Sequence, residues 1–355
     1  MAIFAILKPN NVMTDVEEIF ITVAQNRGHQ AYLFTAQNVN FQTRKINGKT
    51  LNMGVVVEQE FDFPHVIQNR LAVNLEDKDI YIKLAEMIPF TSNRVGTKKE
   101  VDKKLHSIPE LKDYLIKVEE CKNLDVIQKY INKYKKVILK PVASNQGKGI
   151  YSLEQQKNGY VVKQLADTTK LNCEELEDFF INHIKNKGYS VSPFFKSETV
   201  NGQTTVFRMH LTRGASGQWK MIKFFPYVNI NPTVDITNGM QGALITTREK
   251  LFLQQNYPEA YELIQQRIRH LFKVFPLAFQ KCYGWRLDGL GLDLGIDQKG
   301  NIVIFEVNAG AGVGFMAYPV AKAQVEYYEW LKDAAKPPFK NFFLPLNLRE
   351  KKVFA

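Results

Sequence analysis

The chain has 355 residues, of which 45% are hydrophobic and 23% charged, and its formal net charge is +11. This composition is ordinary for a globular protein, and no apolar run approaches the roughly 20 residues of a membrane-spanning helix. The three cysteines are widely scattered, which argues against a disulfide framework or a zinc site and favours a reducing cytoplasm.

The first 90 residues predict a small α/β domain. The apolar start has no basic segment before it and no cleavage site after it, so it indicates a strand and not a signal peptide. Phe4–Leu7 predicts this strand, Asp15–Arg27 a helix that stops at Gly28, and Ala31–Phe34 a second strand. This βαβ order is typical of α/β proteins.

The remainder alternates helices and strands after a junction at Pro89–Arg94. Helices are predicted at Lys98–Leu105 and Asp125–Tyr134, and a buried strand at Val137–Pro141. The later predicted elements are a strand at Tyr160–Lys163, a helix at Cys173–Lys187, a strand at Tyr189–Phe195, two antiparallel strands in 204–230, a helix at 258–275 with Pro258 in its first turn, and a hairpin at 290–308.

The hairpin carries the strongest chemical signal. Because strand side chains alternate faces, Glu306 and Asn308 share one face while Phe305 and its apolar neighbours point the other way. Pairing the strands across the turn at 298–301 puts Asp293 opposite Glu306. Two carboxylates and an amide oxygen suit Mg²⁺, which also takes phosphate oxygens. The alternative is an ordinary solvent-exposed strand face.

A lysine followed by a glycine-containing loop gives a second signal. Lys140 ends an apolar strand and must reach a charge, because burying an unpaired ammonium is costly. In the following turn, Gly147, Lys148 and Gly149 offer backbone N–H groups that can approach phosphate closely. The spacing fits neither a P-loop nor a dinucleotide-binding fingerprint. A plain hairpin turn with a surface lysine explains this segment equally well.

The third signal is Arg208 in an alternating strand. Its guanidinium suits a phosphate or a carboxylate, and Lys223 on the next strand could share that site. The alternative is a surface ion pair between strands. His210 lies on the same strand face as Arg208, where packing is a more common role for a lone histidine than catalysis.

These residues, taken in order, resemble ATP-grasp proteins, and most of all the YheC/YheD group associated with bacterial spore coats. The resemblance covers about residues 90–330. It is carried by the following residues and segments: Lys103 or Lys104, Ile138–Pro141 with its loop, Arg208, Gly217–Trp219, Thr237–Gly239, Asp293, and Glu306 with Asn308.

The resemblance implies two α+β lobes that clamp ATP and Mg²⁺, preceded by a Rossmann-like pre-ATP-grasp domain. It implies that Lys140 and one lysine of 98–104, taken as Lys103, contact the phosphates, and that the loop 144–149, with Gly147, Lys148 and Gly149, is a lid. It implies that Ser192, Phe194 and Phe195 form the adenine hinge. It also implies that Asp293, Glu306 and Asn308 are metal ligands and that Arg208, with Lys223, contacts the acyl phosphate.

Three departures from the family pattern concern the substrate end of the site. Val206 stands where the family strand usually has an aspartate. The paired glycines that follow the asparagine are split into Gly239 and Gly242, and Ala309–Gly312 replaces an expected proline. These differences affect the orientation of Arg208 more than the binding of a nucleotide.

The sequence thus predicts an ADP-forming, Mg²⁺-dependent ligase that joins a carboxylate to an amine or thiol through an acyl phosphate. Its substrates would be a small-molecule, peptide or polymer carboxylate and an amine acceptor. We expect domains at 1–90, 91–200 and 201–335 with a tail at 336–355, and a cytoplasmic or spore-coat location. The alternatives are a non-catalytic nucleotide-binding protein of the spore coat or envelope and, on charge alone, a nucleic-acid-binding module.

Overall fold

Three β-sheets form the framework of the computed structural model, which describes residues 1–70, 75–141, 149–165, 167–231, 234–237 and 242–339. Each sheet is built from one continuous part of the chain. The first spans residues 3–91, the second 119–193 and the third 205–309.

The first sheet combines a parallel centre with an antiparallel hairpin. Its strands are β1 (Ile3–Leu7), β2 (Gln30–Phe34), β3 (Val39–Asn40), β4 (Lys45–Asn52), β5 (Val55–Asp62), β6 (Val66–Asn69) and β7 (Phe90–Thr91). Their order is β3-β4-β2-β1-β6-β7, and β5 pairs with β4. The helices are α1 (Asp15–Asn26) and α2 (Lys78–Met87). A capping box of Thr14 and Glu17 starts α1, and Gly28 follows its end at a φ of 79°.

The second sheet is entirely antiparallel. Its strands are β8 (Glu119–Glu120), β9 (Lys136–Pro141), β10 (Tyr151–Gln156), β11 (Gly159–Gln164), β12 (Asp167–Leu171) and β13 (Tyr189–Pro193), in the order β12-β11-β10-β9-β13-β8. This part of the chain has the helices α3 (Lys98–His106), α4 (Leu124–Tyr134) and α5 (Cys173–Phe179). Val137 and Leu139 pack against α4, and strand alternation therefore leaves Lys136, Ile138 and Lys140 on the opposite face.

The third sheet is also antiparallel. Its strands are β14 (Thr205–Arg213), β15 (Trp219–Val228), β16 (Leu244–Ile245), β17 (Gly289–Ile296) and β18 (Ile302–Ala309), in the order β16-β15-β14-β17-β18. The helices are α6 (Glu249–Asn256), α7 (Tyr261–Gln280) and α8 (Ala317–Ala334). Phe207, Met209 and Leu211 of β14 form one core with α7, while α8 packs on the first sheet beside α1. The other face of β14 therefore carries Arg208.

Most predicted elements are confirmed, and two predicted helices are present with different bounds or geometry. The helix predicted at 258–275 begins at Tyr261, so Pro258 lies outside it, and it continues through Pro276 to Gln280. The buried ring of Phe279 belongs to the same core as Phe275, which holds the helix together beyond a residue that lacks an N–H. The helix predicted at Cys173–Lys187 is α-helical only to Phe179 and then becomes a π-helix, Phe180–Ile184.

No helix within the described ranges is long and apolar enough to cross a membrane.

Candidate functional site

The site is built on a row of charged residues that runs across three neighbouring strands. Arg208 of β14 pairs in register with Asp293 of β17, which in turn pairs with Glu306 of β18, as the hairpin pattern predicts. Arg208 donates through Nε to Oδ1 of Asp293 at 2.7 Å and through Nη2 to Oδ2 at 3.2 Å. This two-point contact fixes the guanidinium plane on the open face of the sheet.

Two lysines from outside the third sheet reach the end of this row. Lys98 at the start of α3 lies 3.3 Å from Oε1 of Glu306, and Lys140 of β9 lies 3.6 Å from Oε2. Glu306 is only 26% exposed, so these contacts are partly shielded from water. The carboxylate therefore joins α3, the second sheet and the third sheet at one point.

Lys98, and not Lys103, is the lysine of α3 that lies at this point. Val101 and Leu105 are buried against the core, and Lys98 lies on the same side of the helix, three residues before Val101. Lys103 is five positions further on, about 140° around the helix, and is exposed. Lys104 instead places its ammonium 5.1 Å from the ring centre of Tyr283. The helical period places Lys98 on the buried side of α3, but the contact with Glu306 depends on how that side packs.

The charges at this site interact strongly because burial keeps water away from them and so reduces screening. Burial raises the pKa of Asp293; Arg208 opposes this effect and Glu306 adds to it. Burial lowers the pKa of Lys98 despite the attraction of Glu306. Burial also acts to lower the pKa of Arg208, but Asp293, together with Tyr227 and Glu306, acts in the opposite direction and the pKa is raised. Three cationic groups face two carboxylates, and this excess of positive charge suits an anionic ligand.

The predicted metal ligands lie side by side on the hairpin. Asn308 pairs in register with Gly291, two positions along β18 from Glu306. A Cβ at Gly291 would lie 3.1 Å from Nη1 of Arg208, so the glycine leaves room for the guanidinium. Among the described residues no group of three or more His, Cys, Asp or Glu could hold a metal. Two carboxylates and an amide still fit Mg²⁺, which keeps several positions for water and phosphate oxygens.

A β-bulge corrects the predicted orientation of Phe305. Asp293 pairs with Glu306 but Leu294 pairs with Ile304, so Phe305 is an extra residue in β18. A side chain at Gly295 would collide with the rings of Phe305 and Phe195. Phe305 therefore lies on the same face as Asp293 and Gly295, contrary to simple alternation. It adds an apolar wall beside the charged row.

The predicted hinge connects the second and third sheets through this wall. Ser192 pairs with Ile138 in β9, and the N–H of Phe194 donates to the carbonyl of Lys136 at 3.0 Å. The ring of Phe195 packs edge-on against Phe305, with 6.1 Å between ring centres. The segment thus forms the back of a cleft between the two sheets.

The predicted phosphate loop is described only at its end. Gly147 and Lys148 lie outside the described residues. Gly149 has a φ of 73°, and the hydroxyl of Tyr189 donates to its carbonyl at 2.9 Å. This bond fixes the end of the loop against β13, beside the strand that carries Lys140.

Lys223 and His210 do not join the charged row. Lys223 pairs with His210 across β14 and β15, and its ammonium lies 2.8 Å from Glu249 rather than at Asp293. His210 is 3% exposed, and its Nδ1 has no hydrogen-bond partner. Burial and the charge of Arg208 lower the pKa of His210 to about 4, so the ring is neutral at pH 7.

Sequence and structure comparisons connect this geometry to known proteins. A model of the YheC/D like ATP-grasp family matches residues 87–330. The endospore coat-associated protein YheD of Bacillus subtilis (strain 168) is 22% identical over 339 residues, which cover 89% of this chain and 73% of YheD.

Two solved ATP-grasp ligases share the fold. One is a RiPP-associated ligase of Chryseobacterium gregarium in complex with ADP and a leader and core peptide. It has a TM-score of 0.52 at 10% identity, with 96% of this chain and 99% of that chain covered. The other is PsnB complexed with precursor peptide PsnA2 and AMPPNP, with a TM-score of 0.53 at 14% identity and coverage of 94% and 98%. The fold is therefore the two-lobed ATP-grasp fold, and since the family model spans most of the chain, this protein belongs to the YheC/D-like ATP-grasp family.

Proposed function

We propose that this protein is an ADP-forming ligase that uses ATP and Mg²⁺ to join a carboxylate to an amine. The observation that carries the proposal is the convergence of Arg208, Asp293 and Glu306 with Lys98 and Lys140 between two sheets. An excess of positive charge beside paired carboxylates suits a nucleotide triphosphate with a bound divalent cation.

The role of each residue follows from its position. Lys98 and Lys140 bind phosphate oxygens. When the nucleotide enters, these oxygens replace Glu306 as the partner of the two ammonium groups. Asp293, Glu306 and Asn308 would hold Mg²⁺, which supplies charge neutralisation at the phosphates. Phe195 and Phe305 line the adenine end, next to Ser192 and Phe194.

Arg208 is the group that acts on the reacting carboxylate. Its guanidinium is anchored to Asp293 through Nε and Nη2, and Nη1 lies above Gly291. A substrate carboxylate attacks the γ-phosphorus, the bond to the β-phosphate oxygen breaks, and ADP leaves with that electron pair. Arg208 stabilises the charge on the transferring group and on the acyl phosphate. An amine then displaces phosphate, without any protein nucleophile.

The test is the nucleotide product. Incubation with ATP, Mg²⁺ and pools of peptides, amino acids and sugar acids should give ADP that depends on a carboxylate. Arg208→Ala should lower this turnover by about 10³-fold, the magnitude typical of a positioned arginine in phosphoryl transfer. AMP as the product would refute the mechanism.

The comparisons make a peptide carboxylate the first class to try. Both solved ligases are described in complex with precursor or leader and core peptides. A peptide pool containing Asp, Glu and Lys side chains offers both a carboxylate and an amine. We propose a spore-coat setting because of the similarity to YheD, with a cytoplasmic setting as the alternative that the scattered cysteines favour.

A second function has one specific observation in its favour. Val206 occupies the β14 position two residues before Arg208, where the family pattern has an aspartate. A spore-coat protein that binds nucleotide without turnover would tolerate this change. Tight Mg-ATP binding with no ADP formed from any pool would favour this alternative.

A further inference from the structure

A partly buried acidic contact joins the second and third sheets at the end of the cleft opposite Glu306. Asp235 accepts a hydrogen bond from Ser152 at 2.6 Å, and its carboxylate lies 2.8 Å from Lys136 and 3.6 Å from Lys163. It is only 10% exposed. Its three partners lie on β9, β10 and β11, so a single carboxylate spans three strands of the second sheet.

Asp235 itself is attached to the third sheet. It follows Val234, which is buried and whose carbonyl accepts a hydrogen bond from Thr204 at 3.0 Å. The hydroxyl of Thr237 donates to the hydroxyl of the same Thr204 at 2.7 Å. Thr204 immediately precedes β14, so the Asp235 segment is fixed on both sides to the strand that carries Arg208.

Strand β9 is therefore held to the third sheet at two points. Lys140 contacts Glu306, and Lys136 contacts Asp235. The two lysines lie four residues apart on one face, which separates their Cα atoms by roughly 13 Å. Ile138 lies on that face between them, with Ser192 as its neighbour on β13. The two sheets are therefore in contact at Lys140 and at Lys136, on either side of Ile138.

We propose that Asp235 is a positioning residue that closes the two sheets over the nucleotide, and that its contact with Lys136, Lys163 and Ser152 opens whenever nucleotide enters or leaves. This inference rests on the proposed nucleotide function. The Glu306 contact can be replaced by phosphate oxygens, whereas the Asp235 contact lies beyond Ile138 and can form in the empty and in the occupied cleft. It therefore controls the rate of exchange rather than the chemistry.

Asp235→Asn tests the proposal, because it keeps the shape of the side chain and removes its charge. Glu154→Gln is the matched control: Glu154 also contacts Lys136, at 3.4 Å, but it pairs with Lys136 in the second sheet, so this contact stays within one sheet. Lys163→Met serves as a second variant that weakens the same contact from the other side.

The first measurement is hydrogen–deuterium exchange in the full chain without nucleotide. Asp235→Asn and Lys163→Met should raise exchange severalfold in peptides covering 151–165 and 229–237, while Glu154→Gln matches the wild type. Unchanged exchange in the Asp235 variant overturns the proposal, and so does an equal increase in the Glu154 variant.

The second measurement is the rate of release of a fluorescent ATP analogue after mixing with excess ATP. Asp235→Asn should release it at least about tenfold faster, with kcat changed less than KM in the ligase assay. A release rate within twofold of the wild type also overturns the proposal. If the wild type binds no nucleotide at all, the proposed function fails, and the exchange experiment still decides whether Asp235 holds the sheets together.

Discussion

At the scale of single residues, the identity of the lysine on α3 can be tested. Lys98→Met removes a cation 3.3 Å from Glu306, whereas Lys103→Met removes an exposed cation from the same helix. We expect Lys98→Met to weaken Mg-ATP binding by about tenfold or more, because one charge-assisted contact to phosphate contributes about 1.5–3 kcal/mol. Isothermal titration calorimetry of both variants measures the Kd for Mg-ATP. Equal Kd values for Lys98→Met and Lys103→Met would show that Lys98 does not bind the nucleotide.

A second residue-scale prediction concerns the buried, neutral His210. Its pKa is lowered to about 4 in the folded protein, against about 6.5 in an unfolded chain. The unfolded state therefore takes up a proton first as the pH falls. The stability that the neutral ring contributes is complete above pH 6.5 and is lost between pH 6.5 and 4, by on the order of 3 kcal/mol.

Urea unfolding of the wild type and of His210→Gln at several pH values measures this loss. The free energy of unfolding of the variant should fall less steeply across that window. His106→Gln, at an exposed histidine, is the control and should follow the wild-type curve. Parallel curves for the wild type and His210→Gln would contradict the prediction.

At the scale of elements, the bulge in β18 gives a prediction about glycines. A side chain at Gly295 would strike Phe305 and Phe195, whereas a Cβ at Gly289, on the same strand, meets nothing within 4 Å. Gly295→Ala should cost about 1–3 kcal/mol of stability through overpacking, and it should weaken nucleotide binding by displacing the aromatic wall. Thermal unfolding and nucleotide titration of Gly295→Ala and of the control Gly289→Ala measure these effects. If Gly295→Ala leaves stability and affinity unchanged, the aromatic wall is not tightly packed.

At the scale of the whole molecule, the closing of one sheet on the other should make stability depend on nucleotide. A hundredfold excess of Mg-ATP over its Kd should stabilise the fold by about 2.7 kcal/mol. Lys140→Ala should reduce the rise in Tm, because it removes the β9 contact to Glu306 and to phosphate. Lys170→Ala, on the exposed strand β12, is the control. If millimolar Mg-ATP leaves the Tm unchanged, this result would argue against a nucleotide site.

The three sheets also bear on domain organisation, although the division at 1–90, 91–200, 201–335 and 336–355 stays a prediction. Helix α3 belongs by sequence to the second of these parts, yet its Val101 and Leu105 pack in the core of the third sheet. Limited proteolysis with mass spectrometry would test whether cleavage clusters near 91 and 201.

The sequence alone determined the features that depend on local periodicity. Strand alternation and turn position placed Asp293 opposite Glu306, and the same reasoning predicted β1, α1, β2 and the pair β14–β15. These contacts join neighbours in the chain, so their geometry follows from the spacing of apolar residues. The placement of Asp293 beside Glu306 on one hairpin face therefore follows from the sequence alone.

Only the tertiary structure decided which distant residues meet that face. Lys98 reaches Glu306 across 208 positions because the α3 core contacts turn that side of the helix inward, and Asp235 meets Lys136 and Lys163 because the two sheets close on each other. The β-bulge at Phe305 and the ion pair of Lys223 with Glu249 likewise follow from the tertiary structure and not from the sequence pattern. A short-range pattern does not contain such contacts, since the packing of whole sheets and helices sets them.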